Sequence, residues 1–331
     1  MSMEPIDTCK RDMCAVLKDA IRVGVFSHVS PDGDTLGSML GIGLALKKMG
    51  KEVFFFNWDP IPDNLLFLPG AEKIKNSLPE KWPDVLLFVD CADLQRVNLQ
   101  TEDLPQTSTV LNLDHHVSNV RFAHYNWVDP QASATAELAY HLILGLETEI
   151  DEEIATNLYT GIITDTGSFQ YSNTHPCTHR IAADLLEKGI DVVRVHHLIY
   201  NQHPLAQLRL LSRALEGLQL LENGKLAVMT LNSQDFTNCG AKQEMSEGLI
   251  NYAKSVAGVE VAVLLKEAAQ DVVKVSLRSN LWLDVNKIAL KFGGGGHYRA
   301  AGCTIHDSLS AARNHLIQAI EVELKNDQRH N

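Results

Sequence analysis

The sequence predicts a two-domain α/β protein: an N-terminal parallel-sheet domain, a helical linker and a smaller α/β C-terminal domain. Apolar strand patterns alternate with helical patterns through the first half of the chain, as in a parallel sheet. At 331 residues the chain is long for a single domain. A helical stretch at 191–219, interrupted by Pro204, separates this half from a second strand-rich unit. We therefore expect domains at 1–188 and 215–331, with a linker at 189–214.

Each predicted element rests on its own periodicity. The strands are short apolar runs, whereas the helices carry apolar residues at helical spacing and end at glycines such as Gly50 and Gly189. The predicted N-terminal strands cover 22–28, 53–56, 85–90 and 110–114. The predicted helices cover 38–49, 133–146, 151–163 and 180–188. In the C-terminal unit we expect strands at 226–231, 259–266 and 272–278.

The composition narrows the function classes. The net charge is −12, from 41 acidic and 29 basic residues, which argues against a long duplex as partner because a duplex needs a broad basic surface. Six scattered cysteines without a C-x-x-C pair indicate reduced thiols, and we interpret Cys91 as a buried structural thiol. The polar N-terminus, and the lack of any apolar run approaching about 18 residues, favour a cytoplasmic protein without a membrane partner.

Four apolar segments of the N-terminal half end in acidic or imidazole side chains. Ligand sites in open α/β sheets lie outside the carboxyl ends of the strands, so these side chains are expected to meet. So many carboxylates at one edge would repel one another unless cations held them. The residues concerned are His28, Asp32, Asp34, Asp90, Asp114, His115, His116 and Asp165. The sequence therefore predicts a clustered site for divalent metal ions.

Two glycines stand near the start of the helix that follows the first strand. Gly33 and Gly37 superficially resemble a nucleotide-binding loop, but neither G-x-G-x-x-G nor Gly-Lys-Ser/Thr is present. We interpret both glycines as making room for Asp32 and Asp34 to turn inward.

A run of four glycines marks the C-terminal unit, in the segment KFGGGGHYRAAGC. Consecutive glycines are costly in conformational entropy, and their natural use is to let the backbone approach a ligand, with amides donating to an anion. His297 and Arg299 follow the run, and Arg278 with Ser279 ends the preceding strand. These residues predict a phosphate-binding loop.

The order HVSPDGDTLGS, FVD, LDHH and ITDTGS, followed by SLRS and FGGGGHYRAAG, resembles the DHH phosphoesterase superfamily. Within it, the chain is most similar to the branch of bifunctional oligoribonucleases and 3'-phosphoadenosine 5'-phosphate phosphatases, the NrnA-like branch. The resemblance covers nearly the whole chain, and the ligand positions of the motifs are intact. It implies a DHH metal-binding catalytic domain followed by a DHH-associated substrate-binding domain.

The resemblance also implies roles for single residues. His28 and Asp32 would bind one Mn²⁺ ion, and Asp34, His115 and Asp165 a second, with Asp90 bridging the two; Mg²⁺ or Co²⁺ stays open. Asp114 would orient His115, and His116 would contact the substrate phosphate. The residues implied to hold nucleotide phosphate are Arg278, Ser279, Gly293, Gly294, Gly295, Gly296 and His297.

The expected activity is hydrolysis of very short single-stranded oligoribonucleotides to mononucleotides, and of adenosine 3',5'-bisphosphate to AMP, in a cleft closed by the two domains. A phosphodiesterase acting on linear or cyclic dinucleotides is an alternative within the same chemistry. An inorganic pyrophosphatase is disfavoured, because those relatives lack the GGGGH ending. A non-catalytic nucleic-acid-binding module is the alternative from another class, and the intact metal ligands argue against it. A homodimer is expected from the family alone.

Overall fold

The chain folds into two units, which divide between Gln202 and His203. The computed structural model describes residues 5–327, and the side chains of residues 5–7, 297 and 326–327 lie outside the described part. Each unit contains its own six-stranded sheet and its own hydrophobic core. The α/β class, the parallel N-terminal sheet and the smaller α/β C-terminal unit are confirmed, and the C-terminal sheet is mixed.

Unit 1 contains six helices and six strands within its described residues. The helices are α1 (Pro5–Asp19), α2 (Gly33–Lys48), α3 (Thr135–Gly145), α4 (Glu152–Asp165), α5 (Pro176–Glu187) and α6 (Val192–Tyr200). The strands are β1 (Arg22–Phe26), β2 (Glu52–Phe56), β3 (Ile74–Lys75), β4 (Val85–Val89), β5 (Thr109–Asp114) and β6 (Tyr125–Val128). All neighbours pair in parallel, in the order β3-β2-β1-β4-β5-β6. Helix α2 begins five residues before the predicted start, because Asp32 caps it.

The two faces of the unit 1 sheet are covered differently. Alternate residues of the central strands, such as Val25 and Leu87, join a core with apolar side chains of α1 to α4. On the other face the strand residues Phe26, Phe56 and Phe88 pack together, with the Phe26 ring 5.1 Å from that of Phe88 and 5.4 Å from that of Phe56. They are buried with Leu94, Val97 and Leu99. With both faces buried, the strands read as nearly continuous apolar runs.

Helix α2 is buried along most of its length and lies directly against α4. A Cβ atom built on Gly37 would lie 2.3 Å from the Asn157 carbonyl oxygen, and one on Gly33 would lie 2.4 Å from Thr164 Oγ1. The glycines therefore let two helices approach closely. This differs from our interpretation that they make room for the neighbouring aspartates, since the packing partner is remote in sequence.

Unit 2 contains a mixed sheet in the order β11-β12-β10-β9-β8-β7. Its strands are β7 (Gln219–Leu221), β8 (Leu226–Leu231), β9 (Val261–Ala269), β10 (Val272–Ser279), β11 (Gly295–His297) and β12 (Ala300–Ile305). Its helices are α7 (Leu205–Glu216), α8 (Ser233–Cys239), α9 (Ile250–Lys254), α10 (Val285–Lys291) and α11 (Leu309–Asp327). The three predicted strands are present as β8, β9 and β10, and the glycine segment adds the unpredicted β11 and β12.

The helices of the predicted linker are divided between the units. Helix α6 packs into unit 1 through the buried Val195, whereas α7 packs into unit 2 through Leu210 and Ala214. All six cysteines are free, and Cys91 is fully buried. Within the described residues, no helix combines the length and hydrophobicity needed to cross a bilayer.

Candidate metal centre

The polar residues singled out in the N-terminal half lie at the carboxyl edge of the unit 1 sheet. His28 follows β1, Asp90 follows β4, and Asp114 ends β5. β1 and β4 are neighbours in the sheet. From β1 the chain adds β2 and β3 on one side, and from β4 it adds β5 and β6 on the other, so the strand order reverses between β1 and β4. Open α/β sheets bind ligands at such a switch point. The strand order therefore brings residues from distant parts of the chain together.

The N-terminus of α2 supplies two carboxylates with different surroundings. Asp32 caps the helix, and its Oδ1 accepts from the backbone N–H groups of Asp34 and Thr35 at 3.1 and 3.0 Å. Asp34 is buried, and its two oxygens accept from the N–H groups of Thr135 and Ala136 at 2.7 and 2.9 Å. These donors belong to the first turn of α3, whose positive end stabilises the buried charge.

Asp90 lies at the centre of the cluster. Its backbone has a φ of 57°, in the left-handed region, directly after β4. Its Oδ2 lies 3.3 Å from His28 Nε2, and its Oδ1 accepts from the Thr135 hydroxyl at 2.9 Å. The ring of His28 is fixed from its other nitrogen, since Nδ1 lies 2.8 Å from the Val29 carbonyl oxygen.

His115 faces carboxylates from three different elements. Its Nε2 lies 4.0 Å from Asp34, 3.8 Å from Asp90 and 3.7 Å from Asp165. Asp165 is the last residue of α4, and the Asn173 side-chain amide donates to its carbonyl oxygen at 3.1 Å. These separations exceed hydrogen-bond lengths and leave space between the ligand atoms.

Asp114 organises the residues beyond the strand end. Its Oδ1 accepts from His116 Nδ1 at 2.7 Å and from the His115 backbone N–H at 2.9 Å, and its Oδ2 accepts from the Asn119 amide at 2.6 Å. The ring that Asp114 orients is thus that of His116. Asp114 contacts His115 through the backbone N–H, while the His115 ring lies with its Nδ1 3.3 Å from the Ala132 carbonyl oxygen.

The candidate ligands form three groups, and within each group the donor atoms, one from each residue, lie within 4.8 Å of one another. The groups are His28, Asp32 and Asp90; Asp34, His115 and Asp165; and Asp90, His115 and His116. The first two groups are the two sets implied by the sequence resemblance, and Asp90 contacts both. Mixed carboxylate and imidazole donors fit a hard or borderline divalent cation such as Mn²⁺, so the residues present fit the expected metal.

The electrostatics of the cluster favour an added positive charge. Burial, and then the charges of Asp90 and Asp165, raise the pKa of Asp34 well above its ordinary value. Burial also raises the pKa of Asp165 to about 6, although His115 opposes the rise. Burial disfavours the charge on Asp90, but the hydrogen bond from His28 and the charge of His116 outweigh it and lower the pKa of Asp90. A divalent cation would relieve the repulsion among these carboxylates.

The same cluster raises the pKa of His116. Burial alone would lower it, but the hydrogen bond to Asp114 and the charge of Asp90 raise it to about 9. A protonated imidazole beside the acidic cluster suits contact with a phosphate oxygen.

Several residues that complete the centre were not predicted from the sequence. Thr135 donates a hydrogen bond from its hydroxyl to Asp90 and one from its backbone N–H to Asp34. The side-chain amides of Asn119 and Asn173 donate hydrogen bonds to Asp114 and Asp165, respectively. The buried Asn57 amide donates to the His28 carbonyl oxygen at 2.7 Å. The one available signal for Thr135 was its place at a helix start, which points to capping and not to a site.

The predicted phosphate-binding residues lie in unit 2, on several elements. Arg278 is half-buried near the end of β10, while the Ser279 hydroxyl is buried and meets no hydrogen-bond partner among the described residues. The N–H groups of Gly293 and Gly294 donate to Leu290 and Ala289 at the end of α10, so these two amides are already engaged. Gly295 and Gly296 belong to β11, as does the backbone of His297, whose side chain lies outside the described part.

Comparison with known proteins identifies the family. The N-terminal domain of the DHH family matches residues 22–162, and the DHHA1 domain matches residues 223–326. The chain therefore belongs to the DHH family, and within it to the NrnA-like branch. It is 38% identical over 305 residues to the bifunctional oligoribonuclease and PAP phosphatase NrnA of Thermus thermophilus, covering 91% of this chain and 89% of that protein.

Two further relatives extend the comparison. NrnA of Bacillus subtilis is 27% identical over 283 residues, which cover 84% of this chain and 88% of that protein. The crystal structure of an exopolyphosphatase-related protein from Bacteroides fragilis superposes with a TM-score of 0.88 at 28% identity, covering 95% of this chain and 96% of that one. The similarity therefore extends over both units.

Proposed function

We propose that this protein is a metal-dependent phosphoesterase that degrades very short oligoribonucleotides to mononucleotides and converts adenosine 3',5'-bisphosphate to AMP. The observation that carries the proposal is the pair of ligand groups that meet at Asp90 on the carboxyl edge of the sheet. The names of the Thermus and Bacillus relatives, both oligoribonucleases and PAP phosphatases, support the two substrate classes. The net negative charge of the protein is compatible with such substrates. A very short oligonucleotide carries few phosphates, so a few cationic groups at the site are enough to bind it, whereas a long nucleic acid needs a broad basic surface.

The residues that would hold the metal follow from the groups. His28 and Asp32 would hold one Mn²⁺ ion, and Asp34, His115 and Asp165 the other, with Asp90 shared between them. Such a pair of ions supplies Lewis acidity, an activated water and charge neutralisation for an in-line displacement at phosphorus.

The protein's own residues then orient the substrate and hold the charge. Asp114 accepts from His116 Nδ1, which fixes the imidazole so that Nε2 is the nitrogen directed to a phosphoryl oxygen. A positive charge at this point stabilises the negative charge that develops on the phosphoryl group. The backbone N–H groups of Thr135 and Ala136, in the first turn of α3, hold Asp34 in place.

In the C-terminal domain, Arg278 and the backbone of Gly295 and Gly296 would bind a phosphate other than the reacting one. We keep His297 in this set on the strength of the motif, and we leave out Ser279 because its hydroxyl is buried in the protein. The N-terminal domain would thus catalyse the reaction, while the C-terminal domain would select the substrate.

Product analysis of the Mn²⁺-loaded protein tests the proposal. The substrates are a 5'-labelled RNA trimer, a long RNA, adenosine 3',5'-bisphosphate and pyrophosphate, each assayed in parallel. We expect turnover of the trimer and the bisphosphate, with the long RNA and pyrophosphate spared. Cleavage of pyrophosphate alone would contradict the assignment, and cleavage restricted to dinucleotides would favour a dinucleotide phosphodiesterase.

A matched pair of variants connects the activity to the site. Asp90→Asn removes one charge from the shared ligand, and Asn tolerates the left-handed backbone at this position. Asp103→Asn removes one charge from the exposed end of a short 3-10 helix (Thr101–Asp103) and serves as the control. Loss of activity and of Mn²⁺ binding is expected for Asp90→Asn alone, and full activity of Asp90→Asn would refute the catalytic role of the cluster.

A further inference from the structure

A groove of about 600 Å³ runs across the sheet of unit 2. Lys266 and Lys274 line one side of it, and Gly293 and Gly294 line another. No Asp or Glu is among the described residues that line it. Its position on β9, β10 and β12 places it on unit 2 alone.

The two lysines form an unusual cross-strand pair. Lys274 is the direct partner of Lys266 in the antiparallel β9–β10 ladder, so their side chains leave the same face of the sheet. Like charges directly opposite one another destabilise a sheet. Lys266 is half-buried, and its Nζ donates to the Ser246 hydroxyl at 2.7 Å. Burial lowers the pKa of Lys266, and the charge of Lys274 lowers it further. The nearby charge of Glu247 opposes this effect only in part.

An anion in the groove would relieve this repulsion. The exposed Lys274 faces Thr304 on its other side, in the β10–β12 ladder. A phosphate oxygen between the lysines and the Thr304 hydroxyl would accept charge-assisted hydrogen bonds from all three groups. The neighbouring Gly302, which has no side chain, also lines the groove.

Arg278 lies on the same strand as the groove residues Lys274 and Ser276. Lys274, Ser276 and Arg278 are alternate residues of β10, so they share the face opposite the core residues Val275 and Leu277. Four residues of strand separate Lys274 from Arg278 by about 14 Å, too far for one phosphate to contact both. The cross-strand partners of Ser276 and Arg278 on β12 are Gly302 and Ala300. Because these two residues have small side chains or none, little projects from the sheet surface beside Ser276 and Arg278.

We propose that this strip binds the sugar-phosphate backbone of the oligonucleotide, with Lys274 and Lys266 holding a phosphate different from the one at Arg278. The inference rests on the proposed function and specifies how substrate length is recognised. Adenosine 3',5'-bisphosphate carries one phosphate beyond the reacting one, so it occupies a single position. Longer oligonucleotides reach the lysine pair as well.

The test compares Lys274→Ala with Lys287→Ala in the full-length, Mn²⁺-loaded protein. Lys287 is an exposed lysine of α10, which packs on the opposite face of the sheet, so it controls for the loss of charge. For Lys274→Ala we expect kcat/KM on an RNA pentamer to fall about 5- to 20-fold, with turnover of adenosine 3',5'-bisphosphate unchanged. The slope of log(kcat/KM) against log salt for the pentamer should become shallower by about 0.7, as for one lost phosphate contact on a single strand.

The outcomes separate the two proposals. If the wild-type protein hydrolyses neither substrate, the proposed function fails and the groove proposal fails with it. If the wild type hydrolyses both and Lys274→Ala behaves like Lys287→Ala, the groove proposal alone is overturned. An equal loss on pentamer and bisphosphate, or an unchanged salt slope, also overturns it, because a general structural effect would not depend on substrate length.

Discussion

The contact between α2 and α4 allows a sharp prediction about how the metal centre is positioned. Gly37→Ala would place a Cβ atom 2.3 Å from the Asn157 carbonyl oxygen and 3.0 Å from the Gly161 nitrogen, both of which are backbone atoms. Gly41→Ala, one turn further along the same helix, would instead meet the Leu158 side chain at 2.8 Å. A side chain can move aside, whereas the backbone of a packed helix cannot move without displacing the helix.

The expected magnitudes follow from two opposing terms. Replacing Gly by Ala in a helix gains about 0.8–1.0 kcal/mol in propensity at either position. Overpacking typically costs about 1–3 kcal/mol, and the rigid contact at Gly37 places it at the upper end of that range. We therefore expect Gly37→Ala to lose about 1–2 kcal/mol, and Gly41→Ala to stay within about 1 kcal/mol of wild type.

Calorimetric unfolding in EDTA, followed by Mn²⁺ titration, measures both consequences. A loss of 1–2 kcal/mol corresponds to a melting temperature lower by about 2–8 °C for a unit of this size. Because the clash forces α2 away from α4, Asp34 and Asp165 should separate, and Mn²⁺ affinity should fall about tenfold in Gly37→Ala alone. Equal stability and equal Mn²⁺ affinity of the two variants would refute the idea that this helix contact positions the ligands.

Three further changes test the remaining contacts. For His116→Gln we expect kcat to fall about 10²–10⁴-fold in steady-state assays while Mn²⁺ affinity is retained in titration, since a parallel loss of affinity would make His116 a metal ligand. Asp151→Ala removes the cap of α4 and should cost about 1 kcal/mol in urea unfolding at neutral pH. Burial opposes the charge on Asp151, but the hydrogen bond from Lys48 outweighs it and lowers the pKa of Asp151. The stabilisation is therefore present above the ordinary carboxyl pKa, and the difference from wild type should vanish as the pH falls through the folded-state pKa. The buried Glu260 carboxylate accepts hydrogen bonds from the backbone N–H groups of Trp282 and Leu283 at 2.8 and 2.9 Å. Glu260→Gln replaces these charge-assisted bonds by neutral ones and should lower the free energy of unfolding of unit 2 by about 1.5–3 kcal/mol, as measured by calorimetry.

The sequence was informative about the strands and about the side chains that end them. Strands of a parallel sheet that are buried on both faces appear in the sequence as continuous apolar runs. The first polar residue after such a run therefore marks the end of the strand, as at His28, Asp90 and Asp114. His28, Asp90, His115 and His116 of the ligand groups follow strands, whereas Asp32, Asp34 and Asp165 lie at helix ends.

Other contacts left no trace in the sequence. Asp34 is held by backbone N–H groups of α3, and a backbone donor carries no residue-specific signal. The role of Gly37 depends on α4, whose position against α2 is a tertiary property. Glycine has low strand propensity, so β11 was predicted as a loop, and only its pairing with β12 reveals a strand.

The strand order of unit 1 also has a consequence for how the protein folds. Neither ligand group is contained in one continuous stretch of chain, because His28 and Asp90 meet only when β1 pairs with β4, and Asp165 arrives later still from α4. Such non-local parallel pairing is slow, since the loops must close before the contacts form. A partly synthesised or partly folded chain therefore lacks the assembled site, and a divalent ion would bind tightly only to the completed sheet. Because the ion would bind only the fully folded state, it would shift the folding equilibrium towards that state. The population of partly folded forms would fall in proportion to the free concentration of the ion.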